Sequence, residues 1–129
     1  MPWNQPPPEL RRRVNETLGY DIYAASEAAW RRAQKADPEV VLNSWFRTPE
    51  EHYRLPGAAT YSQHLLGLAV DVKPSPSRRA RFIDALQREG FHVIPKSTHL
   101  HVQRLAPPEA LRLRRLMGDL GLVRAFANR

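Results

Sequence analysis

Four residues in two short stretches carry side chains that can do chemistry. The stretch "SQHLLGLAVDV" places His64 and Asp71 seven positions apart around Gly67, and "THLHV" places His99 and His101 two positions apart. Residues two apart on a strand share a face, so both imidazoles project from one side, about 7 Å apart along the backbone. His64 and Asp71 would face opposite ways on one straight strand, but a turn at Gly67 lets His64 fold back over Asp71.

Two imidazoles and one carboxylate form a common ligand set for catalytic zinc. Three protein ligands leave the fourth tetrahedral position for water, and zinc lowers the pKa of that water towards ~7, which suits amide hydrolysis. The chain has no cysteine, so any metal must be held by His, Asp or Glu. Spacing alone leaves open that these side chains are unrelated polar residues with structural hydrogen bonds.

The helices and strands that position these residues can be predicted from the hydrophobic pattern and from the Pro and Gly residues at which such elements end. Helices are predicted within 6–20, within 25–38 with Ser26 near the cap, within 75–90 with Ser77 near the start, and over 107–126. Strands are predicted within 39–46, 68–72, 91–95 and 98–105, and a loop with one helical turn over 47–60. This order predicts one α+β domain over residues 1–129, with a mainly antiparallel sheet and flanking helices.

Charge and composition narrow the classes of partner. The formal net charge is +7 and the pI is near 10.5, so the surface attracts polyanions such as nucleic acid, anionic membrane or cell wall. No DNA-reading motif is visible, and nucleic acid is therefore not favoured as the partner. No apolar run reaches the ~20 residues needed to cross a bilayer, and the N-terminal residues do not resemble a signal peptide, which indicates cytoplasmic synthesis.

Three blocks in the chain resemble the M15 zinc peptidases, the D-Ala-D-Ala carboxypeptidase family with the hedgehog/DD-peptidase fold. "SQHLLGLAVDV" resembles the family motif S-x-H-x-x-G-x-A-x-D, "NSWFRTPEEH" resembles its "SGYRSPxxN" segment, and "HLHV" resembles its closing H-x-H. The blocks occur in family order and cover residues 43–103, the motif core of the predicted domain.

The resemblance implies a role for each matching residue. His64, Asp71 and His101 would hold one zinc ion, and His99 would stabilise the oxyanion that forms during hydrolysis. Arg47 would act in catalysis and substrate binding by forming hydrogen bonds with a carboxylate of the peptide. Ser62 would shape the loop that presents His64, and Gln63 would touch substrate or the zinc-bound water.

Three positions depart from the family pattern. Thr98 stands where the dipeptidase and endolysin branches have an acidic general base, so either His99 or another carboxylate would have to accept the proton. Trp45 replaces the usual glycine of the arginine block. His52 replaces the usual Asn, and we expect it to be an exposed loop histidine or a substrate contact.

The resemblance favours a monomeric zinc peptidase that hydrolyses peptidoglycan stem peptides, as a carboxypeptidase or a related endopeptidase. A compact phage lysin or virion-associated enzyme would act at the cell wall. Two alternatives remain: a zinc-binding module of the same fold that binds cell wall without turnover, and a basic nucleic-acid-binding protein.

Overall fold

The computed structural model describes residue 3 and residues 5–123. This part of the chain contains five α-helices and four β-strands. In chain order they are α1 Pro8–Leu18, α2 Ile22–Gln34, β1 Val41–Ser44, α3 Pro49–Tyr53, β2 Ala69–Lys73, α4 Arg79–Arg88, β3 His92–Pro95, β4 Leu100–Gln103 and α5 Pro107–Asp119. Short 3₁₀ helices cover Gln63–Leu66 and Pro76–Arg78.

The four strands form one sheet in the order β1-β2-β4-β3, and every neighbouring pair is antiparallel. β2 and β4 are central, and their register places Asp71 opposite His101. On the other side of β2, Ser44 of β1 pairs with Asp71. The α+β prediction with an antiparallel sheet is therefore confirmed, and the central strands bring two of the chemically interesting residues together.

Alternation along the central strands separates the core from the site. Leu68, Val70 and Val72 point into the hydrophobic core, as do Leu100 and Val102 of β4. The intervening residues, including Asp71 and His101, project from the opposite face. Because one face packs into a fully buried core, a slip by one residue would bury the polar set, which fixes the register.

Aromatic rings fill the core behind the sheet. Trp3 contacts Trp30 and Trp45 edge-on and stacks on Phe91, and Trp30 also packs edge-on against Phe82. Burial of each such side chain contributes about 1.5–3 kcal/mol from removal of apolar surface from water. Trp45 thus replaces the glycine expected at its position with a core side chain.

One predicted helix start was wrong. α2 is capped by Asp21, whose carboxylate accepts hydrogen bonds from the backbone N–H groups of Tyr23 and Ala24, a stronger cap than a hydroxyl within the helix. Ser26 lies inside α2, where its Oγ–H donates to the carbonyl of Ile22. Ser77 lies in the 3₁₀ turn directly before α4, near the start of the helix as predicted.

The C-terminal helix is shorter than its pattern predicts. α5 ends at Asp119, although Leu120 and Val123 still pack against the core beyond it. Residues 124–126 of the predicted helix lie outside the described residues. Within the part of the chain that the structure describes, no helix is both long enough and apolar enough to span a membrane.

Candidate metal centre

The turn that carries His64 is built by its neighbours in sequence. Ser62 caps the 3₁₀ helix by accepting a hydrogen bond from the N–H of His64, at 3.2 Å. Gly67 ends this helix in the left-handed region, at φ +69°. A Cβ at Gly67 would come within 2.8 Å of Pro6 Cδ, so both backbone shape and space require glycine here. The predicted turn at Gly67 is present and folds His64 back onto β2.

His64 is held in a defined orientation. Its imidazole is buried, and its Nδ1–H donates to the carbonyl of Trp45 at 2.6 Å. A carbonyl can only accept, so this contact assigns the proton to Nδ1 and leaves Nε2 as the ligand atom. Nε2 lies 3.2 Å from Asp71 Oδ1.

His101 reaches the same carboxylate oxygen from the neighbouring strand. Its Nδ1 lies 3.0 Å from Asp71 Oδ1, and its Nε2 lies 3.0 Å from Gln103 Oε1, which accepts the ring N–H. Gln103 lies two residues further along β4, on the same face. Its spacing from His101 is a sequence signal that the resemblance did not include.

These three side chains fit a zinc ion. His64, Asp71 and His101 each offer one ligand atom, and the three atoms lie within 4.8 Å of one another. Tetrahedral bonds of ~2.0 Å place neighbouring ligand atoms about 3.3 Å apart, close to the 3.2 and 3.0 Å found here. Both imidazoles also give their second N–H to an oxygen, the arrangement that orients histidines on metals.

The Asp71 carboxyl is suited to remain ionised. Burial opposes its ionisation, but the imidazoles of His101 and His64, within 3.2 Å of the carboxylate, outweigh burial when they are protonated, so the pKa of Asp71 lies well below its usual range. Arg47 adds an ion pair, with its Nη2 2.9 Å from Asp71 Oδ2. Asp71 is thus an anionic candidate ligand over the whole neutral range.

Arg47 is fixed to the site by three contacts. Besides its ion pair, its Nε–H donates to Ser44 Oγ at 2.8 Å, and its backbone N–H donates to the carbonyl of His64 at 3.0 Å. The structure therefore brings Arg47 to the predicted site, where it braces Asp71. Binding of a substrate carboxylate by Arg47 stays a prediction.

His99 lies just before β4, beside the ligands. Its Nε2 is 3.8 Å from Asp71 Oδ1, and its Nδ1 is 3.1 Å from Thr98 Oγ1. The side chain is partly exposed and lines the same cavity as the three candidate ligands. It therefore lies at the surface of the cavity, beside the candidate ligands.

Gln63 has a clear structural role. Its amide donates to the carbonyl of Leu105 at 3.2 Å and accepts from the N–H of Leu105 at 2.9 Å. Both ends of the amide thus tie the His64 turn to the chain after β4. Its predicted contact with substrate or zinc-bound water stays untested.

The expectation that His52 is exposed was wrong. His52 is only 2% exposed, and its Nε2–H donates to the carbonyl of Ala59 at 2.7 Å. Tyr53 next to it donates its hydroxyl to the carbonyl of Thr60 at 2.8 Å. Sequence reasoning missed this pair of bonds, because a contact seven residues ahead across an irregular loop has no periodic signal.

The two bonds shape the wall of an open cavity of about 570 Å³ above the candidate ligands. The loop over residues 55–59 forms one side, and Arg114 of α5 lies on Tyr61 on another, with its guanidinium carbon 4.8 Å from the ring centre. Asp71 is the sole acidic residue among the described residues that line this cavity. The cavity is consequently cationic apart from the site itself.

The fold and the site define a class of protein: an α+β domain that presents a His–Asp–His group from a central antiparallel sheet and the turn before its strand β2. A sequence family described as Peptidase M15 matches residues 11–103, well over half of the chain. The protein therefore belongs to the M15 peptidase family, which supports a peptidase role. Members are typically metallopeptidases. No curated protein and no solved structure gives a significant match.

Proposed function

We propose that the protein is a zinc-dependent peptidase that hydrolyses peptidoglycan stem peptides, with zinc held by His64, Asp71 and His101. The observation that carries the proposal is the convergence of three ligand atoms, with both second ring nitrogens already bound to oxygen acceptors. Zinc in such a site supplies an activated water and polarises the scissile carbonyl. The family match and the cavity above the ligands support the peptide as substrate.

Side chains of the protein would carry out proton transfer and stabilise the charge that develops during hydrolysis. Asp71 is the sole carboxylate among the described lining residues and would be a ligand, so we assign proton transfer to His99 through its Nε2. Neutral His99 would accept the proton of the attacking water and later pass it to the leaving amine. While protonated, it would also stabilise negative charge on the carbonyl oxygen.

Arg47 would bind substrate as well as brace Asp71. Its Nη2 contacts Asp71 and its Nε contacts Ser44, which leaves Nη1 without a contact among the described residues. Arg47 lines the main cavity, and a guanidinium suits a carboxylate of the peptide. Thr98 would hold the His99 ring by its hydroxyl, in place of the acid of other branches.

The test is zinc content together with hydrolysis of purified peptidoglycan and of synthetic stem peptides. We expect about one zinc per chain and chelator-sensitive cleavage, both lost in His101→Ala. We expect His99→Ala to keep zinc and lose about 10²–10⁴-fold in kcat, the usual contribution of a general acid–base group. Circular dichroism of both variants checks that the fold is kept.

The outcomes separate the candidate functions. Folded protein that takes up no zinc would overturn the metal site. Full zinc without cleavage of any wall peptide would favour the non-catalytic wall-binding module. Salt-sensitive DNA binding that is indifferent to chelator would favour a nucleic-acid-binding protein instead.

A further inference from the structure

A second cleft adjoins the candidate metal centre. It has a volume of about 380 Å³ and shares two lining residues, Lys96 and His99, with the main cavity. The backbone N–H of Lys96 donates to the carbonyl of His99 at 2.8 Å, which holds these two residues together where the cavities meet. A peptide bound at His99 can therefore extend directly into this cleft.

Three cationic side chains from separate elements line the cleft. Lys73 ends β2, Arg79 begins α4, and Lys96 lies between β3 and β4. Among the described residues that line it, none is acidic. All three side chains are exposed at this surface, so they can meet a ligand without rearrangement of the core.

These charges are uncompensated, unlike many others on the surface. Exposed arginines of the helices commonly have a carboxylate partner, as Arg31 has Glu27 and Arg88 has Asp84. Within the described part of the chain, no ion pair joins Lys73, Arg79 or Lys96 to a carboxylate. Three unpaired cations around one concavity produce a local positive potential that attracts an anionic group.

We propose that this cleft binds a carboxylate that the substrate peptide carries a few residues from the scissile bond. The proposal rests on the proposed function and adds a specificity site to it. An extended peptide advances about 3.3–3.6 Å per residue, so a chain that passes His99 reaches the adjoining cleft within a few residues. The hydroxyls of Ser97 and Thr98 line the same cleft and can donate to the carboxylate beside the cations.

The test uses two stem peptides that are identical except that one side chain, a few residues from the scissile bond, carries either a carboxylate or a carboxamide. Lys73→Gln/Arg79→Gln removes two charges from the cleft and alters no residue that lines the main cavity. Arg81→Gln/Arg88→Gln is the matched control, because it removes two exposed charges from α4 outside the cleft.

We expect the zinc-loaded wild type to have a KM about fivefold lower for the carboxylate peptide, the size expected for two exposed charge contacts. Lys73→Gln/Arg79→Gln should lose this preference while its kcat on the carboxamide peptide stays unchanged, and the control should keep the preference. A wild type without preference, or a preference that persists in the cleft variant, would overturn the proposal.

Failure of the proposed function is distinguishable from failure of the cleft. If zinc-loaded protein cleaves neither peptide, equilibrium binding of the same two peptides replaces kinetics as the measurement. The wild type would then have to bind the carboxylate peptide more tightly, and Lys73→Gln/Arg79→Gln would have to abolish this difference. That result would support carboxylate binding by the cleft even though the peptidase proposal had failed. Equal binding of both peptides to the wild type would reject it.

Discussion

At the scale of single residues, the candidate site depends on which atom each histidine turns towards Asp71. His64 presents Nε2 because the carbonyl of Trp45 takes its Nδ1–H, and His101 presents Nδ1 because Gln103 takes its Nε2–H. The two rings thus use opposite nitrogens and still meet at one carboxylate oxygen. Orientation is set by acceptors outside the ligand set, and that is where a substitution can weaken the site without removing a ligand.

Gln103→Leu should reduce zinc affinity about 10–100-fold, because His101 loses the acceptor that orients its ring. Gln103→Glu should retain most of the affinity, since a carboxylate also accepts the ring N–H. Competition with a chromogenic chelator measures the affinity. Gln87→Leu, at an exposed position of α4, is the control and should bind zinc as the wild type does. Wild-type affinity in Gln103→Leu would show that the contact does not orient His101.

At the scale of elements, two junctions between distant segments of the chain position the strands and helices around the site. The turn at Gly67 carries His64, and Trp3 Nε1–H and Tyr23 Oη–H hold its backbone by donating to the carbonyls of Gly67 and Leu66, at 2.9 and 2.6 Å. A second junction joins the chain after α2 to the chain after β2 through buried Asp37, which accepts from the N–H and the hydroxyl of Ser75. Packing of the helices against the sheet depends on both.

Gly67→Ala should destabilise the protein more than Gly57→Ala does. Both glycines have φ +69°, so each alanine costs about 1–2 kcal/mol in backbone conformation, but a Cβ at Gly57 meets nothing within 4 Å. At Gly67 it meets Pro6, which adds a steric cost and displaces the His64 turn. Urea unfolding of the zinc-free proteins measures the difference. Equal losses of stability would contradict the close approach of Pro6.

Asp37→Asn should remove a pH-dependent part of the stability. Burial raises the pKa of Asp37, but hydrogen bonds from Ser75 outweigh burial and lower it. A lowered pKa in the folded state stabilises the protein above the unfolded-state value of ~3.9, and this stability is lost as pH falls through the folded-state value. Urea unfolding at pH 7 and near pH 3 should show a larger gap between wild type and variant at pH 7. A constant gap would contradict the assignment.

At the scale of the whole molecule, the net charge and the charges that line the main cavity both favour the anionic substrate of the proposed function. The net charge is +7, and the described lining of the main cavity has a single acid, which is a candidate ligand. The field of such a surface concentrates a polyanion near the site before any specific contact forms. In the proposed function, attraction of this kind would act on association with the cell wall, and salt would screen it.

Binding of the protein to intact cell walls should therefore weaken as NaCl rises from ~0.05 to ~0.5 M, while turnover of a small uncharged peptide should change little. Sedimentation with purified walls measures the first, and the peptide assay measures the second. If salt reduced wall binding and peptide turnover equally, the salt effect would lie in catalysis and not in attraction to the wall. Wall binding that salt leaves unchanged would show that contacts other than charge attach the protein.

The sequence predicted what depends on local pattern and on the motif. The alternation of Leu68 to Val72 located the central strand, and Gly67 correctly indicated the turn. Long-range contacts were not readable in the same way: Trp3 bonds to Gly67 across 64 positions, and Gln63 to Leu105 across 42. Ser26 failed as a cap because Asp21, five residues earlier, accepts two N–H groups instead. His52 is buried by a loop whose path no periodicity sets.

The central claim is that His64, Asp71 and His101 hold a zinc ion, and anomalous diffraction tests it most directly. Crystals grown with zinc, measured on both sides of the zinc absorption edge, should show one strong peak about 2.0–2.2 Å from His64 Nε2, an Asp71 carboxylate oxygen and His101 Nδ1. The peak should vanish in His101→Ala crystals of the same fold. No peak at these atoms in the wild type, or a peak that persists in His101→Ala, would contradict the account.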